Sequence, residues 1–324
     1  MSTGKDGALV DHYKAEQIFE MEPRLRNVAE IDVKMVINID STNADHVVWE
    51  KLVAIIGKNY SRYNGFLITY GTNTMAYAAS ALSFALPNIG KPVVFTGAQI
   101  PAENINSDAH NNFVNALTVA TMDLAGVLVV FGSKIILGCR SKKVNESELE
   151  AFKTFNGSDV GEIRIGIKIN RVDCRRNDNR KLLVKNGFND NIVSVTLIPG
   201  LKGDYLVDLI EYGVKGIILR AFGSGDVPHN LLPALEYARK KKVPVVVTTQ
   251  CPSGATLMGI NEPGLRAVKA GVIQAFDMSM EAMSTKLMWL LHQGVAYPKI
   301  KAMMQKDLVG EVKEDQGILK TKIV

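Results

Sequence analysis

Short, nearly continuous apolar runs rich in β-branched residues recur along this chain, with helical patterns between them. That alternation is the signature of crossover units built around a parallel sheet, so an α/β fold is expected. Strands are expected at 33–39 (VKMVINI), 66–70 (FLITY), 92–96 (PVVFT), 126–131 (GVLVVF), 193–198 (VSVTLI), 215–220 (KGIILR) and 243–248 (VPVVVT). Their continuous apolar character suits strands buried on both faces. Helices are expected at 44–58, 74–86, 108–123, 204–212, 229–241, 263–270 and 279–292. In the first of these, Val48, Leu52, Ile55 and Ile56 form one apolar stripe, with Ser41 or Thr42 as the expected N-cap.

The apolar character stops near Asn170, and the following stretch to 191 is charged and rich in asparagine. Strand–helix alternation resumes at Ile192. This shift marks the expected boundary between a larger N-terminal parallel-sheet domain, 1–185, and a smaller C-terminal α/β domain, 192–324. A chain of 324 residues suits two such domains. Apolar residues make up 47% and charged residues 22%, which excludes disordered, collagen-like and disulfide-scaffold classes. The net charge of +5 is scattered, so no nucleic-acid partner is expected, and the basic run Arg239–Lys242 reads as the end of a helix. No apolar run reaches the roughly 18 residues of a membrane span, and the first residues lack a secretory apolar core. Three cysteines are too few and odd in number for a disulfide framework, which favours a cytoplasmic location.

No dinucleotide fingerprint, P-loop or nucleophile elbow is present. The five histidines are dispersed, and none has metal-ligand spacing, so neither metal nor cofactor is expected. What remains is a set of small polar residues just past three apolar strands: Asp40-Ser41-Thr42, Gly71-Thr72-Asn73-Thr74 and Thr96-Gly97-Ala98-Gln99. Ligands of open α/β sheets bind at such strand ends, although each cluster taken alone also reads as a helix cap. A threonine nucleophile needs a base, and Lys142 and Lys143 are equal candidates on spacing alone.

The stretch GFLITYGTNTMAYAASALSFALPNIGKPVVFTGAQIPAENINSDAHNN (65–112) closely resembles the asparaginase/glutaminase family, nearest its cytosolic type I branch. The likeness continues through IDSTN (39–43), CRSKK (139–143), IPGLKGD (198–204), LRAFGSGDVP (219–228), TTQCPSGATLMG (248–259) and AGVIQAFDMSMEAMSTKL (270–287). It implies a two-domain α/β fold, cofactor-free hydrolysis of L-asparagine to L-aspartate and ammonia, and a homodimer or homotetramer. L-Glutamine is the alternative substrate. Carried over position by position, Thr72 corresponds to the family's second catalytic threonine and Lys143 to its partner lysine. Ser41 corresponds to the serine that holds the substrate α-carboxylate, Thr42 to its neighbour, and Ala98 to the residue whose backbone meets the side-chain amide.

The sequence departs from the family pattern in two places. The aspartate of the family's GTDT motif, which pairs with the substrate α-ammonium, is Asn73 here. A charge-assisted hydrogen bond contributes roughly 1.5–3 kcal/mol and a neutral one about 0.5–1.5. Binding of an amino acid is therefore expected to weaken about tenfold, unless Asp40 or another acid compensates. Family members also begin with a strand ending in a TGGTI loop that carries the first threonine, whereas MSTGKDGALVD resembles the segment after that loop. The strand and its threonine are therefore expected to be missing from this chain. Thr3 is not its substitute; the family's mobile-loop tyrosine is not evident either, since Ala8 lies near its place and Tyr13 is a poor substitute. Three readings compete: an asparaginase with an upstream strand, a silent paralogue binding amino acids or a family subunit, and a tRNA-dependent amidotransferase subunit.

Overall fold

The computed structural model describes residues 23–177 and 181–313, together with a two-residue strand pair, β1 (Ser2–Thr3) and β2 (Leu9–Val10). Ala8 and Tyr13 lie outside the described residues. The chain divides into two compact units, Met1–Gly187 and Phe188–Val324.

The first unit is built on a six-stranded sheet. β3 (Phe66–Thr69), β4 (Pro92–Thr96) and β5 (Gly126–Phe131) run parallel, with Leu67 opposite Val94 and Val94 opposite Leu128. β5 then folds back on β6 (Lys134–Leu137) through Gly132, whose φ of +56° favours glycine. A separate antiparallel pair joins β7 (Ser141–Lys143) to β8 (Phe152–Thr154). Two short strands extend the β6 edge antiparallel, β9 (Gly161–Ile163) and β10 (Ile167–Ile169), so the main sheet is mixed, not purely parallel.

Helices α1 (His46–Asn59), α2 (Met75–Ala85) and α3 (Ala109–Ala120) serve this sheet. Helix α1 buries Val48, Trp49, Leu52, Val53 and Ile56 on one side. Its N-cap is Asp45, whose carboxylate accepts from the Val47 N–H at 2.9 Å. Neither Ser41 nor Thr42 caps it, because both belong to an earlier 3-10 turn, Ser41–Asn43. Helix α2 is buried nearly all round, which its run of alanines permits without crowding the neighbouring elements.

The expected strand at 33–39 does not form, and this segment has no regular structure. Val33, Met35 and Ile37 are 45%, 50% and 38% exposed. A β-branched run becomes a strand only when a neighbour takes up its ladder groups. Among the described residues β3 is the last strand on that side of the sheet.

The second unit holds a four-stranded parallel sheet, in the order β11 (Ile192–Thr196), β12 (Gly216–Ala221), β13 (Val245–Thr249) and β14 (Ile273–Gln274). Helices α4 (Asp204–Tyr212), α5 (Leu232–Lys240), α6 (Glu262–Ala270), α7 (Met280–His292) and α8 (Tyr297–Gln305) accompany it. Its core joins Ile217, Leu219, Val245 and Val247 from the strands to Leu206, Leu235 and Ala267 from the helices. Gly213 and Gly271 end α4 and α6 at φ +105° and +108°, the left-handed caps that favour glycine. Lys286 on α7 and Glu311 form an ion pair with both side chains fully buried.

Candidate active site

All three polar clusters read from the sequence meet in the first unit. Gly71 follows β3 and packs against Ser41 so closely that a Cβ there would lie 2.5 Å from the Ser41 hydroxyl. Thr74 donates its hydroxyl to the Ser41 carbonyl at 2.6 Å, and the Tyr70 N–H donates to the Thr96 carbonyl at 2.8 Å. These contacts bind the three turns to one another. The turn at Ser41 is placed by Thr74 and Gly71, since the segment at 33–39 that leads into it is not a strand.

Lys143 reaches this point from β7. Its Nζ lies 2.8 Å from the Thr72 Oγ1 and 3.2 Å from the Asn73 Oδ1. Asn73 in turn donates from Nδ2 to the Thr42 Oγ1 at 3.1 Å. The amide orientation is fixed by its partners, since a lysine can only be met by the carbonyl oxygen. Thr72 is buried. Burial also pulls the Lys143 pKa down, while Glu146 acts to raise it. The two lysines that spacing left equal are separated by the strand pleat. Lys142 points the other way, with its ammonium 4.6 Å from the centre of the Phe155 ring.

Asp40 receives the Thr42 N–H at 2.7 Å, and that bond holds its carboxyl below the usual range. It is exposed, and it caps the 3-10 turn. Ser41 is buried against Gly71.

Ala98 lies in a turn that is organised from behind. Asp108 accepts from the Gln99 and Ile100 N–H groups at 3.0 Å and from Asn112 Nδ2 at 2.9 Å. Asn112 also donates to the Gly97 carbonyl and accepts from the Gly132 N–H, both at 3.0 Å. A Cβ on Gly97 would lie 2.3 Å from the Tyr70 carbonyl, so the turn needs glycine there. Asp108 and Asn112 are not among the expected site residues, and Gln99 stands there only as the last member of the third polar cluster. Their signal was the four-residue spacing of Asp108 and Asn112, which stacks them one above the other at the start of a helix.

A buried threonine bonded to a partly buried lysine, beside a turn of closely packed backbone, is an arrangement suited to acyl transfer. Among the described residues no group of three histidine, cysteine, aspartate or glutamate side chains could hold a metal ion, and no helix is long and apolar enough to cross a membrane.

Comparison with known proteins points the same way. Residues 1–175 match the family model described as Asparaginase, N-terminal, and residues 191–304 match the Glutaminase/Asparaginase C-terminal domain. An L-asparaginase of Thermococcus kodakarensis is 36% identical over 292 residues, which is 89% of this chain and 88% of that protein. A subunit of the glutamyl-tRNA(Gln) amidotransferase of Pyrococcus abyssi is 31% identical over 317 residues, 94% of this chain and 72% of that protein. The solved structure of the thermostable L-asparaginase from Thermococcus kodakarensis superposes with a TM-score of 0.86 at 32% identity, covering 96% of this chain and 95% of the other. The chain belongs to the asparaginase family.

Proposed function

We propose that this protein hydrolyses the side-chain amide of L-asparagine, releasing L-aspartate and ammonia, with Thr72 as nucleophile and Lys143 as base. The observation that carries this is the 2.8 Å contact between the hydroxyl of a buried threonine and a partly buried lysine. Neutral Lys143 takes the proton from Thr72 Oγ1 as that oxygen attacks the amide carbon. Backbone around Gly97 and Ala98 faces the oxyanion, a role that needs a turn as rigid as the Asp108–Asn112 network makes it. The tetrahedral intermediate expels ammonia after Lys143 returns the proton to the leaving nitrogen. Water then cleaves the acyl ester and regenerates Thr72. Ser41 holds the substrate α-carboxylate, Thr42 and Asp40 border it, and Asn73 offers the α-ammonium a neutral acceptor. In this reading the protein works in the cytoplasm as a homodimer or homotetramer without a cofactor.

Ammonia release from L-asparagine by the 1–324 chain, lost in Thr72→Ala and Lys143→Met, is the expected result. Release that survives Thr72→Ala, or none from wild type, defeats the proposal, and the latter outcome favours a silent amino-acid-binding paralogue. The likeness to an amidotransferase component supports a second reading, a subunit supplying ammonia to a partner. Its mark is release that depends on an added partner protein and tRNA.

A further inference from the structure

The basic run at the end of α5 continues past the helix. Arg239 and Lys240 lie in its last turn, where cations complement the dipole, but Lys241 and Lys242 lie beyond it. They border a cleft of about 390 Å³ in the second unit. The cleft sits at the amino ends of β11, β12 and β13, reached by Asn189, Lys215 and Val243 just before those strands. We propose that this cleft binds a small organic anion, an apolar body carrying a phosphate or carboxylate group.

The inner wall is apolar. Ile210 from the end of α4, Val214 and Val243 are buried, and half-buried Leu291 from α7 closes the side. The rim is cationic, with Lys215, Lys241 and Lys242, and no carboxylate lines the cleft. Lys241 is engaged already, 2.9 Å from the Glu211 carboxylate. Lys215 and Lys242 are exposed, and among the described residues neither side chain has a partner. The Asn189 Oδ1 accepts from the Asn191 N–H at 3.0 Å, which leaves its Nδ2 as a further donor.

Helix dipoles do not account for these charges. The C-termini of α4 and α5 both end here, and each carries about half a negative charge. Together they offset about one of the two lysines left without a partner, so the cleft stays positive. The two turns also differ in a telling way. Just past each helix the backbone is left-handed, at φ +105° for Gly213 and +60° for Lys242. Glycine suits that conformation, whereas Lys242 keeps a charged side chain there against the backbone's preference. A volume near 390 Å³ is within the range of small-molecule sites.

Isothermal titration of the 1–324 chain with 1-naphthyl phosphate tests this, with 1-naphthol and inorganic phosphate as the partial probes. Saturable binding of the ester, much tighter than that of either part, is the expected result, and added salt should weaken it by screening. The double variant Lys215→Met, Lys242→Asn should raise Kd about fivefold or more. Asparagine tolerates the left-handed backbone at 242, and both side chains are exposed, so this variant should keep the native circular dichroism. The ester should also protect Lys215 and Lys242 from acetylation, read by peptide mass spectrometry, while exposed Lys51 in the first unit reacts as before. No saturable binding, equal binding of 1-naphthol or of inorganic phosphate alone, or a Kd unchanged in the double variant would overturn the proposal. None of these readouts needs amide turnover, so failure of the amidohydrolase reading is seen separately.

Discussion

At 2.8 Å the Thr72 hydroxyl can pass its proton to Lys143 only while the amine is neutral. Burial lowers the lysine pKa from its ordinary value, so neutral amine is reached at lower pH than for a free lysine. Activity should therefore rise with pH through that titration, seen as an acid limb in kcat/KM. Asn73→Asp should shift that limb to higher pH, because a carboxylate beside Lys143 favours its ammonium form. The same change should lower KM for L-asparagine up to about tenfold, by giving the α-ammonium a charged partner. Much of this is legible in the sequence. Thr72, Asn73 and Lys143 stand out from motif order, and the fold brings the three side chains together. Spacing alone leaves Lys142 and Lys143 equal; the likeness to the family picks Lys143, and the pleat of β7 brings its side chain to Thr72.

The turns explain why elements, not single side chains, build the site. Gly97 lies against the Tyr70 carbonyl, and its backbone is held by Asn112. Gly97→Ala should push the turn away from β3 and reduce kcat/KM by roughly tenfold or more through misplacement of the backbone. Far-ultraviolet circular dichroism should stay native-like, since no strand interior is altered. Asp108→Asn keeps the shape but swaps an acceptor oxygen for an amide donor facing N–H groups. The unpaired donors should cost about 1–3 kcal/mol in stability, measurable by urea unfolding. At this scale continuous apolar runs identify β3, β4, β5, β11, β12 and β13 to within a few residues. Short strands such as β7, β9 and β14 escape, because two or three residues carry no periodicity. The run at 33–39 misleads for the opposite reason. Its pattern is that of a strand, and pattern alone does not supply the neighbour that completes one.

For the molecule as a whole, strand–helix alternation identifies the class, and membership of the asparaginase family agrees with it. The hairpins that make the first sheet mixed are only partly visible in the sequence, through the Gly-Ser turn between β5 and β6. Within the second unit, Glu311 pairs with Lys286, midway along α7. Its carboxylate receives the Lys286 ammonium and the Leu308 and Val309 N–H groups. Lys286 also donates to the Met304 carbonyl at 2.9 Å, which ties α8 to the pair. Glu311→Gln should cost about 3–5 kcal/mol, because it removes a counter-charge from a buried lysine. Thermal unfolding checks this, and the ammonia assay at low temperature should be unaffected in the remaining folded protein.

Everything proposed for the chemistry depends on Thr72 carrying the acyl group. The decisive measurement is mass spectrometry of peptides from protein quenched in acid during turnover of L-asparagine. An aspartyl ester on the peptide containing Thr72, absent from Thr72→Ala, is the predicted result. Turnover with the adduct on another residue, or with no dependence on Thr72, would contradict it.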